Sequence, residues 1–85
     1  MAREDIEKKV TDILVDKMGV ESEEVKSEAD FREDLGGDSL ELVMVIMEIE
    51  KDFSISVTDE EVEQTKTVAD IFDLVEKHVR EKRKE

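Results

Sequence analysis

Asp38-Ser39-Leu40-Glu41-Leu42-Val43-Met44-Val45-Ile46-Met47-Glu48-Ile49-Glu50-Lys51-Asp52-Phe53 opens with an Asp three residues before a Glu. In that arrangement each side chain satisfies the free backbone N–H at the other position, so a helix is predicted from Asp38 to Phe53. Placed at roughly 100° per residue, its apolar positions separate into two groups. Leu42, Val45, Ile46, Ile49 and Phe53 share one arc and are the expected core face. Each contributes about 1.5–3 kcal/mol on burial, before conformational entropy is subtracted. Leu40, Val43, Met44 and Met47 form a second stripe roughly opposite, with Glu41, Glu48 and Asp52 along one flank. A small bundle can hardly bury both stripes. Either the segment before the helix folds over the second stripe, or the stripe docks a partner, with adaptable Met side chains for contact and acids for orientation.

Before this helix, Ile6, Val10, Ile13, Leu14 and Met18 recur at helical spacing and Gly19 stands where a left-handed stop belongs, which predicts a first helix over 4–18. Residues 20–37 keep no period, yet they place Val20, Val25, Phe31 and Leu35 between acids and include Gly36-Gly37. This reads as a long pinned loop, with Ser22 or Ser27 starting a short turn. Loops beyond ~12–15 residues in compact domains usually serve a function. After Phe53, Ile55 and Val57 alternate, but no second strand is available to pair with them, so the segment reads as a connector. Thr58-Asp59-Glu60-Glu61 is a second capping box, opening a short helix over 59–64 with Val62 inward. Thr67-Val68-Ala69-Asp70 starts a last helix over 68–80, carrying Val68, Ile71, Phe72, Val75 and Val79 inward. Arg80 to Glu85 reads as a frayed helix end. The expected fold class is all-α: a small antiparallel bundle of three main helices plus a short helix, with a long loop between helices one and two. At 85 residues it is expected to be one domain over residues 1–85.

Composition narrows the function. The chain has no Cys, which rules out disulfide frameworks, thiolate metal sites and cysteine nucleophiles, and makes a cytoplasmic setting the expectation. The longest nearly apolar run, Leu42 to Met47, is far below the ~20 residues of a membrane span. The start, Met1-Ala2-Arg3-Glu4-Asp5, does not read as a signal peptide. Twenty-six acids against thirteen bases give a net charge of −13; between residues 21 and 63 there are sixteen acids and three bases, while the remainder holds ten of each. The whole excess therefore sits in the middle segment. Such a field repels nucleic acid and anionic lipid and steers basic protein surfaces toward it, unless it serves solubility alone. No nucleic-acid partner and no membrane insertion are expected.

Ser39 follows two glycines and Asp38 at the first turn of the second helix. Free backbone N–H groups and the helix dipole favour a phosphate ester there, although Ser also simply tolerates such a position. Phe31-Arg32-Glu33-Asp34-Leu35-Gly36-Gly37-Asp38-Ser39-Leu40, followed by Glu50-Lys51-Asp52-Phe53 and Thr67-Val68-Ala69-Asp70, resembles the acyl carrier proteins of bacterial fatty-acid synthesis over about Ile6 to Val79. The resemblance implies that a phosphopantetheinyl transferase attaches 4′-phosphopantetheine from coenzyme A to Ser39. The arm's thiol then carries acyl groups as thioesters to fatty-acid or related lipid and polyketide enzymes with basic docking surfaces. A chain without its own thiol cannot divert such cargo by exchange. The resemblance also implies that Asp38, beside its capping role, helps the transferase and orients the arm, that Leu40 adjoins the attachment point, and that Leu40, Val43 and Met47 are positions where partner enzymes dock; with Met44 of the same stripe and the flanking Glu41 and Glu48 they make up the expected docking face. An aliphatic interior lined by Val45, Ile46, Ile49, Phe53, Ile71 and Val75 either shelters an acyl chain or is ordinary core. The chain is expected to work as a monomer and not to be an enzyme.

Met44 and Lys51 depart from the family pattern, since acids are common at both places, so a carrier dedicated to one pathway is expected. Gly37, often Ala in relatives, and Thr58, often Pro, read as minor variation. Three rivals are weighed against this reading. Gly37-Asp38-Ser39-Leu40 also spells the signature of a serine esterase class, but the lone histidine, His78, lacks the Asp shortly before it that those enzymes carry, and their parallel sheet is missing from the pattern. An EF-hand fails because no register from Asp30 or Asp34 places Gly sixth and Glu twelfth, so no metal site is expected. An unmodified acidic interaction module docking through the second helix is the remaining alternative.

Overall fold

In the computed structural model, which describes residues 2–83, four helices and one short turn account for the architecture. The helices are α1 (Arg3–Met18), α2 (Ser39–Phe53), α3 (Asp59–Gln64) and α4 (Val68–Arg83), and a 3₁₀ turn covers Ser22–Glu24. No strand occurs among the described residues. α1 packs against both α2 and α4, and α2 also packs against α3 and α4. The fold class is all-α, and no helix of it is long and apolar enough to cross a membrane.

Each helix end has a visible cause. α1 starts at Arg3, one residue before the expected Glu4, after an Ala2 that offers no side-chain cap, and it ends on Gly19 in the left-handed conformation (φ 69°). Only half of the expected box forms on α2: Asp38 accepts from the Glu41 N–H at 2.8 Å, and Asp38 itself stays outside the helix in extended backbone. α2 is closed by Ser54, a non-glycine residue at φ 56°, whose N–H returns to the Glu50 carbonyl. Thr58 and Glu61 close a reciprocal box at α3, each accepting from the other's N–H at 3.0–3.1 Å. Thr67 and Asp70 do the same at α4, which continues through Arg83 rather than stopping at Arg80. The frayed-end expectation for Lys84 and Glu85 lies outside the described residues.

One core holds the helices together. Ile6, Val10 and Leu14 from α1, Val45 and Ile49 from α2 and Val68, Ile71 and Val75 from α4 are essentially inaccessible to water. The first loop adds Ala29, Phe31 and Leu35 to the same cluster. It is pinned by backbone as well: the Phe31 N–H donates to Lys66 O at 2.9 Å, the Val68 N–H to Ala29 O at 3.0 Å and the Ala69 N–H to Ser27 O at 2.9 Å. An isolated bridge between Asp30 and Thr67 belongs to this seam. The loop thus packs against the start of α4 and into the core. It does not cover the second stripe of α2.

Candidate functional site at the start of α2

The site grows from Asp30. Its Oδ1 accepts the N–H groups of Arg32 (2.8 Å) and Glu33 (2.9 Å), its own N–H donates to Asp34 Oδ2 (2.7 Å), and its carbonyl takes the N–H groups of Asp34 and Leu35. The acids near Gly36 therefore tie a turn together over residues 30–35. Gly36, at φ 74°, reverses the chain after it, and the buried Gly37 donates its N–H to Phe31 O at 3.0 Å. The turn delivers Asp38 to its capping position and leaves Ser39 exposed as the first residue of α2. Arg32 Nη2 donates to Ser39 Oγ at 2.5 Å. Sequence reading missed both Asp30 and Arg32. Asp30, two residues before an Arg and four before another Asp, was the only local hint.

Around this hydroxyl lie two surfaces of different character. Along α2, Leu40 (67 % exposed), Met47 (60 %), Met44 (54 %) and Val43 (42 %) form an open apolar stripe, which settles which of the two stripes is core. Glu41 and Glu48 on its flank are half-buried, and Glu48 lies 4.0 Å from Lys17 of α1. Arg32 also stands in the wall of a cleft of about 270 Å³ that is lined by Asp30, Phe31, Glu33, Leu42, Glu63, Thr65 and Lys66 as well. Val45, Ile46, Ile49, Phe53, Ile71 and Val75 do not line it; all six are buried in the common core. His78 is engaged elsewhere, with Nε2 3.0–3.1 Å from both Glu61 oxygens.

The donor set suits a phosphate ester. An exposed hydroxyl sits at the amino end of a 15-residue helix, where the Ser39 and Leu40 N–H groups have no acceptor among the described residues, and a guanidinium already touches the oxygen. Comparison with known proteins agrees with this chemistry. A family profile described as "Phosphopantetheine attachment site" matches residues 8–75. An acyl carrier protein of Porphyromonas gingivalis is 46 % identical over 76 residues, covering 89 % of this chain and 97 % of that protein. One of Akkermansia muciniphila is 48 % identical over 77 residues, covering 91 % and 96 %. Among solved structures, the acyl carrier protein of Thermotoga maritima superposes with a TM-score of 0.82 at 34 % identity, covering 93 % of this chain and 92 % of that one. The acyl carrier protein of Enterococcus faecalis gives 0.77 at 27 % identity, covering 92 % and 99 %. With a profile matched over most of its length, near-half identity to these relatives and the same helical fold, the chain belongs to the acyl carrier proteins, whose covalently attached cofactor is 4′-phosphopantetheine.

Proposed function

We propose that Ser39 is the attachment point of the arm and that the chain, itself not a catalyst, presents acyl thioesters to fatty-acid or related lipid and polyketide enzymes. The observation that carries this reading is the exposed Ser39 hydroxyl at the first turn of α2, beside an open apolar stripe on the same helix. In the attachment step Ser39 Oγ forms the new P–O bond and the pyrophosphate P–O bond of coenzyme A breaks. Adenosine 3′,5′-bisphosphate leaves, and the hydroxyl proton passes to a base of the transferase. The arm then supplies the thiol that this chain lacks. Intact mass before and after exposure to coenzyme A and a broad-range phosphopantetheinyl transferase tests the assignment: the unsubstituted chain gains one arm and Ser39→Ala gains none. An unsubstituted chain that keeps its mass in that assay, when prepared without the arm, would return the unmodified interaction module to favour.

Docking is assigned to Leu40, Glu41, Val43, Met44, Met47 and Glu48, supported by the exposure of the four apolar members. A dedicated partner set follows from Met44, which widens the apolar stripe. Substituting Met44→Glu should leave folding stability within about 0.5 kcal/mol, because the residue is exposed, while changing KM for cognate enzymes by about threefold or more. KM values unchanged for every cognate enzyme would remove Met44 from the docking face.

A further inference from the structure

Arg32 occupies an unusual electrostatic position. It is one of three bases, with Lys26 and Lys51, set among sixteen acids between residues 21 and 63. Among the described residues its guanidinium joins no ion pair, and its one side-chain hydrogen bond goes to Ser39 Oγ. Its backbone is fixed by Asp30, which accepts both the Arg32 and the Glu33 N–H groups. A phosphodiester formed at Ser39 adds a negative charge beside Asp38, whose carboxylate already occupies the Glu41 N–H. Only the Ser39 and Leu40 N–H groups of that turn remain to receive it.

We infer that Arg32 is the positioning residue for the phosphate of the arm. Its guanidinium, which meets Ser39 Oγ in the unmodified chain, pairs with the phosphodiester after attachment. Together with the two free N–H groups it holds the root of the arm at the amino end of α2. A guanidinium suits this work because its planar fork matches two phosphate oxygens, whereas an ammonium offers a point charge. The inference rests on attachment at Ser39. Because Arg32 is exposed, the pairing is modest in strength and screened by salt.

The test compares unmodified and phosphopantetheinylated forms of the unsubstituted chain, Arg32→Gln and Arg32→Lys, each verified by mass. On modification, the Arg32 Nε–H resonance of the unsubstituted chain should shift. The change in Tm on modification should be less favourable by about 2–5 °C in Arg32→Gln at low ionic strength, should lie between the two in Arg32→Lys, and should converge for all three at ~1 M salt. Comparing the two forms of each variant cancels whatever the substitution does to the fold itself. An Arg32 resonance unmoved by modification, or an equal change in Tm for the unsubstituted chain and Arg32→Gln, overturns the role of Arg32 and leaves Ser39 as the attachment point. Failure of the unsubstituted chain to gain mass overturns the attachment and this inference together.

Discussion

Gly37 shows how much a single residue near the site can be constrained by one far enough away to be invisible in a local pattern. A Cβ added there would lie 2.3 Å from Phe31 Cε2, 2.8 Å from Phe31 Cζ and 2.7 Å from Met18 Cε. The methionine end can swing aside. The phenyl ring has little room, because Phe31 is 1 % exposed and its backbone is bonded to both Lys66 and Gly37. A glycine that reads as minor variation in the sequence is therefore a packing requirement in this chain. Gly37→Ala should destabilise the fold by about 1–3 kcal/mol, the usual cost of overpacking a filled core. Urea denaturation reads this directly, and an unchanged midpoint would show that the ring yields at little cost. Ser39 was legible as an exposed hydroxyl because Asp38 and two glycines precede it. The contact with Arg32 was not, because it depends on a turn that Asp30 folds through backbone N–H groups rather than on any helical spacing.

At the scale of elements, α3 is the one that needs outside help. Six residues do not sustain a helix alone, so its stability must come from its ends and neighbours. Glu61 supplies both: its carboxylate accepts from the Thr58 N–H and hydroxyl and meets His78 and Lys77 of α4. The Thr58 N–H is the main cause holding this carboxyl down at about 2 from an ordinary 4.5, against burial, which acts upward; His78 adds to the lowering. At Asp70 burial likewise acts upward but is outweighed by the N–H groups of Lys66 and Thr67, the Thr67 hydroxyl and the Lys66 charge, leaving that carboxyl below its ordinary value. Since the folded pKa of Glu61 is the lower one, its stabilisation is complete above about 4.5 and is lost as pH falls from there toward 2. Glu61→Gln should therefore be less stable at neutral pH by about 1–2 kcal/mol, and its gap from the unsubstituted chain should close as pH falls through that window. Denaturant midpoints of the two chains across that range check it; a constant gap would mean the carboxylate charge contributes nothing. The boxes at α3 and α4 were legible in sequence because both partners lie within four residues. Ser54 in a left-handed cap and the Glu50 carboxylate bonded to the Val57 N–H at 2.8 Å were not, since no residue preference announces them.

Across the whole molecule the balance of charge is local as well as net. Arg3 gathers Glu7, Asp73 and Glu76 within 2.7–3.3 Å and lies over the Phe72 ring, so α1 and α4 are well compensated where they meet. Among the described residues, ion pairs reach only Glu48 and Glu61 of the sixteen acids between residues 21 and 63. Folding confines these charges to a body of 37 × 25 × 20 Å with a radius of gyration of 11.9 Å, against about 29 Å for an unfolded chain of this length. At 0.01 M salt the screening length is ~30 Å and spans the folded molecule, so nearly every acid repels every other; at 1 M it is ~3 Å and only immediate neighbours interact. The unfolded chain, with its charges farther apart, gains much less from screening. Raising sodium chloride across that range should therefore increase Tm by roughly 5 °C, most of it below ~0.3 M where the screening length falls inside the dimensions of the fold. Thermal scans measured by circular dichroism report it. A Tm independent of ionic strength would mean that repulsion among the middle-segment acids is matched in the unfolded chain, leaving solubility and the attraction of basic partners as the only physical consequences of a net charge of −13.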